Sequence, residues 1–264
     1  MRAPLLALLA LVVPGAALAA PDAAVAVPPA CPELVVTGHH YYPPVAWSSG
    51  GKVVGAAPEL VARIAAGLGV AKVTSKDFGS WEKAQAAARN GEADVIVGIY
   101  RNDERMEWLE YVEPPFMVDP VSVVVRTDAP FRYAEWSDLK GRKGVTAAGE
   151  SYGTQFDNYM ARTLTVARVA GVDKAFAALL DGTADYAIVA FYPGRDVARK
   201  QELFAKLAFL SKTVVNADMF VAFSKKSKCL PALKDGFAKA LKAAVDGGKV
   251  IELLDAASDT VANQ

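Results

Sequence analysis

Two rhythms alternate along the chain from Glu33 onward. Glu33 to Gly38 is a short apolar run of strand type, and from Pro58 the apolar residues Leu60, Ile64 and Leu68 recur at spacing four, with Val61 beside them, until Gly69 stops the pattern. That spacing puts one face of a helix in a core. Val73 to Phe78 reads as a strand, Ser80 as the N-cap of a helix over Trp81 to Arg89, and Asn90-Gly91 as its stop. Asp94 to Ile99 is nearly continuous in apolar residues, which predicts a strand covered on both faces.

The same grammar resumes after Pro120. Strands are predicted over Val121 to Arg126, Gly144 to Ala147, Leu164 to Val169 and Asp185 to Ala190, with helices over Tyr152 to Arg162 and Asp173 to Leu180. A last strand, Met219 to Ser224, leads into a helix carrying Leu233, Phe237 and Leu241 on one face, then Gly247-Gly248 and a terminal helix. Strands alternating with helices mean an α/β protein with parallel sheets under helical cover. Two such units, with a tail that returns to the first, is the simplest architecture.

Composition narrows the class. The 264 residues carry 29 basic and 29 acidic side chains, and no basic stripe of the kind that meets a polyanion, so a nucleic-acid partner is not expected. Aromatic residues at 9% and apolar residues at 53% exclude disorder. Part of the apolar excess lies at the start: Arg2, the run Leu5 to Val13, Pro14-Gly15 and the small residues Ala17-Leu18-Ala19. The run is shorter than the roughly 20 residues that span a bilayer, which favours a cleaved export signal over residues 1–19 against a membrane anchor. Residues 20–30, rich in Ala and Pro, read as a flexible lead. Cys31 and Cys229 are the two cysteines of a chain read as exported, where a single long-range disulfide is expected; two free thiols are the alternative.

The motifs of catalysis are missing. No G-x-S-x-G elbow, phosphate-binding loop or G-x-G-x-x-G follows a strand. The two histidines, His39 and His40, are neighbours in one loop, and no further His, Cys or carboxylate stands at ligand spacing, so they read as polar loop residues near a cleft before a metal site. No cofactor is implied. Recognition chemistry is present in three pieces. Gly38-His39-His40-Tyr41-Tyr42-Pro43-Pro44 is a stiff aromatic loop at the carboxyl end of the first strand, where ligands of open α/β sheets bind. Gly98-Ile99-Tyr100-Arg101-Asn102-Asp103-Glu104-Arg105 leaves the buried strand similarly, and Arg105 offers either a planar fork to a carboxylate or a surface pairing with Glu104 or Glu107. Gly149-Glu150-Ser151-Tyr152-Gly153 precedes a helix, where free N–H groups suit an anion and Ser151 alternatively caps the helix.

Together these pieces resemble the bacterial extracellular solute-binding proteins of family 3, of the periplasmic polar amino-acid-binding type, from about Glu33 to Leu254. The ordered elements are Gly38 then Tyr42-x-Pro44, Gly55 before Glu59-Leu60, Trp81 before Asn90-Gly91, Ala93-Asp94-Val95-Ile96, Glu104-Arg105, Pro115-Phe116, Asp138-Leu139-Lys140-Gly141, Gly149 with Ser151, and Gly182-x-Ala184-Asp185-Tyr186. The resemblance implies a two-lobe periplasmic binding protein-like (type II) α/β fold with two mixed sheets flanked by helices. Residues 31–118 and 216–264 would form one lobe and 119–215 the other, closing on a solute. It implies Tyr42 as an aromatic wall of the cleft, Gly98 and Arg105 as the grip on a ligand carboxylate and Ser151 as the second lobe's donor to that carboxylate, with Trp81 near the cleft or packed in the core; Tyr100 falls on one of the family's hydroxyl positions between Gly98 and Arg105. Its usual partner is an ABC permease complex in the inner membrane, served by a monomeric binding protein.

Two departures bear on the ligand. The family's acid for a ligand ammonium falls here on Ala190, leaving Glu150 or Asp218 as substitutes, and His40 stands where binders of basic amino acids often carry Asp. A neutral or acidic carboxylate solute is therefore expected. Two other classes share the fold: a sensor that shows its occupancy to a receptor, and a cyclohexadienyl dehydratase-like enzyme, for which Glu150 is the general acid with a defensible placement.

Overall fold

The computed structural model describes residues 31–262, so the signal read over 1–19 and the lead over 20–30 lie outside the described residues. The chain opens with β1 (Glu33–Gly38), followed by a small antiparallel sheet of β2 (Tyr41–Tyr42), β3 (Ala46–Ser49) and β4 (Lys52–Val54). Next come α1 (Ala56–Gly67), β5 (Lys72–Ser75), α2 (Trp81–Asn90), β6 (Val95–Tyr100), α3 (Asp103–Met106), β7 (Leu109–Tyr111) and β8 (Met117–Arg126). The second half contributes β9 (Lys143–Ala147), α4 (Thr154–Thr163), β10 (Thr165–Val169), α5 (Val172–Leu180), β11 (Tyr186–Ala190) and α6 (Phe191–Lys200). A long β12 (Leu207–Ser224), then α7 (Leu230–Asp246) and α8 (Lys249–Ala262), complete it.

Local sequence explains most of these elements. In α1 the buried residues Leu60, Val61, Ile64 and Ala65 share the face predicted by their spacing. The N-cap of α2 is Ser80, whose Oγ accepts the Lys83 N–H at 3.3 Å, and Gly91 closes the helix in the left-handed region at φ 83°. All six residues of β6 are buried, as a strand covered on both faces requires.

Both expected sheets are the two ends of one hydrogen-bonded path, β10-β9-β11-β8-β12-β6-β1-β5. The ends are parallel: β1 pairs with β5 and β6, and β9 with β10 and β11. The middle is antiparallel. There β12 runs along β8 from Leu207 opposite Arg126 to Met219 opposite Met117, and Met219 is also opposite Tyr100 of β6. One 18-residue strand thus leaves one lobe and enters the other. Helices cover both ends, with α1, α7 and α8 in contact over the first lobe and α5 against β9 and β11 in the second.

Three features were not foreseen. The first part of β12 alternates poorly, with Ser211, Lys212, Asn216 and Asp218 all exposed, so it gave no strand signal. Helix α6 carries Pro193 and Gly194, which look like breakers, but Pro193 lies in the first turn where its missing N–H costs nothing. The strands of the small sheet are two to four residues long, too short for periodicity. Among the described residues no helix is long and apolar enough to cross a membrane.

Cys31 and Cys229 are bonded, with their Cα atoms 4.8 Å apart, tying the entry of β1 to the N-cap of α7 across a separation of 198 residues. A cross-link over so long a loop removes much conformational freedom from the unfolded chain. Replacing both cysteines with serine is expected to lower the unfolding free energy by about 2–5 kcal/mol in urea titrations; equal midpoints for the two proteins would refute that role.

Candidate ligand-binding site

A cavity of about 430 Å³ lies between the lobes. Its first-lobe wall comes from the loop after β1 and the start of α2, chiefly His39, Tyr42 and Trp81, and its second-lobe wall from the β9–α4 loop and the end of β11, chiefly Glu150, Tyr152 and Ala190. The wall is aromatic and apolar with a few polar groups, the usual make-up of a small-molecule site.

His39 joins the two walls. The Tyr41 N–H donates to its Nδ1 at 2.9 Å, so the proton of the neutral ring is on Nε2, which faces Glu150 Oε1 at 3.0 Å. Its ring lies 5.0 Å from that of Trp81 and 5.3 Å from that of Tyr42. His40, on the rim, turns its Nδ1 to Asp77 at 3.0 Å. Tyr152 closes the second-lobe side, its hydroxyl donating to the Ile188 carbonyl at 3.0 Å and lying 2.5 Å from Thr146 Oγ1.

Arg105 is only 2% exposed, and its charge is surrounded by neutral acceptors. Nε donates to Gln85 Oε1 at 3.1 Å, Nη1 to the Tyr100 carbonyl at 3.0 Å and Nη2 to the Gly149 carbonyl of the other lobe at 3.2 Å. Neither Glu104 nor Glu107 pairs with it; Glu104 instead bonds Arg89. Among the described residues no carboxylate oxygen lies within 4.0 Å of the guanidinium; burial pulls its pKa down, with Tyr111, Glu150 and Asp157 opposing. The group stands one layer behind the cavity wall, 5.6 Å from the centre of the Trp81 ring and bonded to Gly149, whose neighbours Ala148 and Glu150 line the cavity.

Gly98 and Gly149 explain two of the sequence motifs. Across Gly98 the β6–β12 register jumps from Ile99↔Phe220 to Val97↔Val221, a bulge that Gly98 accommodates at φ 70°. Gly149 has φ 75°, and a Cβ there would stand 3.0 Å from Glu82 Cγ and 3.2 Å from Trp81 Cδ1, so a side chain would hold the lobes apart. Ser151 does not cap α4, whose N-cap is Gly153. Its Oγ accepts from Asn102 Nδ2 across the lobes at 2.6 Å and donates to Asp157. The Asp103 N–H donates to Thr154 Oγ1 at 3.0 Å, a second bridge beside it.

Of the residues expected at the site, His40, Tyr42, Trp81 and Glu150 line the cavity, while Gly98, Tyr100, Arg105 and Ser151 lie behind its wall. Asp218, considered as a substitute acid, is exposed on β12 and away from the cavity. No sequence motif singles out Asp119, a lone acid at the start of an apolar strand. It is fully buried beneath Tyr42: Tyr100 donates to its Oδ2 at 2.7 Å, Tyr42 donates to the same oxygen, and the two tyrosine oxygens are 2.6 Å apart. Oδ1 makes no hydrogen bond to the described residues. Burial raises the Asp119 carboxyl to about 6, against the lowering effect of the two tyrosines, and Glu150 raises it further.

Residues 34–256 match the bacterial extracellular solute-binding proteins, family 3. Among solved structures, a histidine kinase sensor domain with similarity to periplasmic binding proteins has a TM-score of 0.70 at 24% identity, over 86% of this chain and 96% of that one. The arginine-, lysine-, histidine-binding protein ArtJ from Geobacillus stearothermophilus has a TM-score of 0.67 at 20% identity, over 84% and 93% of the two chains. An amino acid ABC transporter substrate-binding protein from Streptococcus pneumoniae, bound to L-arginine, gives 0.66 at 22% identity, over 86% and 94%. At these identities the likeness is one of fold. A comparison with curated proteins gives no match.

Because the Asp119 carboxyl is raised from 3.8 to about 6 on folding, the native state holds more protons than the unfolded chain between those values. Its contribution to stability is full below 3.8 and is lost as pH rises through 6. The thermal midpoint of Asp119→Asn, measured against the wild type, should therefore improve as pH is raised from about 4 to 7; a difference that does not change with pH would contradict the assignment.

Proposed function

We propose, from the premise that this chain belongs to the bacterial extracellular solute-binding proteins, family 3, that it is a periplasmic binding protein which holds a small carboxylate-bearing solute between its lobes and delivers it to an ABC permease. Residues 31–118 with 216–264 form one lobe in this reading and 119–215 the other. The observation that carries it is Arg105, a buried cation with three neutral hydrogen-bond acceptors and, among the described residues, no carboxylate within 4.0 Å. A buried charge without a counter-ion is costly, and a solute carboxylate supplies one.

Closure follows from the same groups. The Gly149 carbonyl of the second lobe accepts from both Arg105 Nη2 and Gln85 Nε2, each at 3.2 Å. A carboxylate is the stronger acceptor for a guanidinium. A solute that replaces one of these bonds while touching both walls favours the shut arrangement by its differential affinity. The shut state is then what a permease reads as occupied.

Where ArtJ is an arginine-, lysine-, histidine-binding protein and the Streptococcus pneumoniae protein is bound to L-arginine, the wall here supports a neutral or acidic solute. Its acid, the half-buried Glu150, is already bonded to His39, Ala190 supplies no charge, and Tyr42, Trp81 and Tyr152 offer flat apolar surface. A thermal-shift panel of amino acids and organic acids identifies the solute, since a ligand bound only by the native state raises the midpoint. Neutral or acidic carboxylates should shift it and arginine should not; a shift by arginine alone would overturn the assignment of class. In calorimetric titration with the solute so found, Arg105→Ala should weaken binding by about 2 kcal/mol or more, and unchanged affinity would remove Arg105 from the site.

A further inference from the structure

Among the described residues, the two buried charged groups without counter-ions are of opposite sign, and one residue touches both. Arg105 Nη1 donates to the Tyr100 carbonyl at 3.0 Å, and the Tyr100 hydroxyl donates to Asp119 Oδ2 at 2.7 Å. Guanidinium and carboxylate are thus held apart by the length of one tyrosine, and they form no ion pair with each other. The groups that act on the Asp119 charge are Tyr42 from β2, Tyr100 from β6, Tyr192 from α6 and Glu150 from the β9–α4 loop, and none of them is a cation.

Register ties Asp119 to the cavity. Ala190 of β11 is directly opposite Val121 of β8, so the two side chains share a face of the sheet. Asp119, two residues along the same strand, shares that face and is the diagonal neighbour of Ala190, within about 7 Å. Ala190 and Tyr42 both line the cavity, and behind them stands a carboxylate whose Oδ1 has no hydrogen-bond partner among the described residues. A solute reaches that oxygen only by passing Ala190 or Tyr42, and Ala190 presents no more than a methyl.

Protons in the cluster can be counted. Three oxygens, Tyr42 Oη, Tyr100 Oη and Asp119 Oδ2, lie within hydrogen-bond reach of one another, making three contacts. The tyrosines bring two protons, so an ionised Asp119 leaves one contact without a proton, and a protonated one fills all three.

We propose that Asp119 is the cation subsite of the cavity: its carboxylate meets the ammonium of a zwitterionic solute whose own carboxylate is met by Arg105, and in acid solution it gives up a proton to do so. The inference rests on the solute-binding reading and adds the ammonium to it. In the exchange the carboxylic acid O–H of Asp119 breaks, its proton leaves to buffer, and the carboxylate left behind accepts N–H bonds from the ammonium through Oδ1. Proton and ammonium compete, so capture of an amino acid weakens as pH falls below 6.

The test uses the full mature chain and the protein amino acids, each paired with the 2-hydroxy acid that lacks its ammonium. The wild type should bind an amino acid from the panel at least about tenfold more tightly than its 2-hydroxy counterpart, a preference that Asp119→Asn, isosteric and still able to accept from both tyrosines, should erase. Titration of the wild type at pH 6 in two buffers of different ionisation heat needs no variant, and it should report on the order of half a proton released per amino acid bound and none for the 2-hydroxy acid. A wild type that binds neither this panel nor any organic acid of the thermal-shift panel overturns the solute-binding reading, and this inference with it; binding of organic acids alone overturns only this inference. Equal binding of amino acid and hydroxy acid, no proton release at pH 6, or a preference lost in Glu150→Gln but kept in Asp119→Asn overturns the role of Asp119 alone and leaves the reading standing.

Discussion

The antiparallel ladder between β8 and β12 is the constraint on which the rest of the molecule depends. It runs from Leu207 opposite Arg126 to Met219 opposite Met117, and β12 then continues along β6 into the first lobe. Backbone groups buried in a sheet must be paired, so neither strand can leave the other without exposing unsatisfied N–H and C=O groups. The ladder slips in two places, between Phe209 and Thr213 and between Thr213 and Val215. Such breaks bend a strand without parting it, and a paired but bent crossing lets two lobes swing while remaining in register. The cavity opens beside this crossing, and Asp119 of β8 is buried behind it, hydrogen-bonded to the wall residue Tyr42.

Around the crossing, charge is arranged unusually for a protein interior. Several ion pairs among the described residues are exposed and local, such as Arg63 with Glu59 and Lys242 with Asp246, and contribute little. Arg105 and Asp119 are the reverse: both are buried, and neither has a counter-ion among the described residues. The cost of holding them so is borne by the fold around them, through Gln85 and two carbonyls for the one and two tyrosines for the other. A stable core gains nothing from such an arrangement. A binding site gains specificity, because only a solute that answers each charge recovers the cost.

Much of the fold was legible in the sequence because its signals are local. The Leu60–Ile64–Leu68 spacing, the Ser80 cap with its Gly91 stop and the apolar run of β6 each determine a conformation without reference to the rest of the chain. The first part of β12 and helix α6 were not legible: the strand is half exposed, and a proline in the first turn of the helix looks like an interruption. The site divides in the same way. Tyr42, Trp81 and Glu150 stand on short motifs at element ends and were readable there. Asp119 was not, since what singles it out is the approach of Tyr42 and Tyr100 from two other strands. Arg105 was readable by type, but its position behind the Gly149 carbonyl belongs to the meeting of the lobes.

Closure about the β8–β12 crossing is the central claim, and small-angle X-ray scattering of the mature protein, with and without a saturating concentration of the solute found by thermal shift, tests it most directly. The radius of gyration should contract on binding, with the scattering curve moving toward that computed for the arrangement described here. A curve that superposes with and without bound solute would mean that the lobes do not move on capture, and would contradict the account.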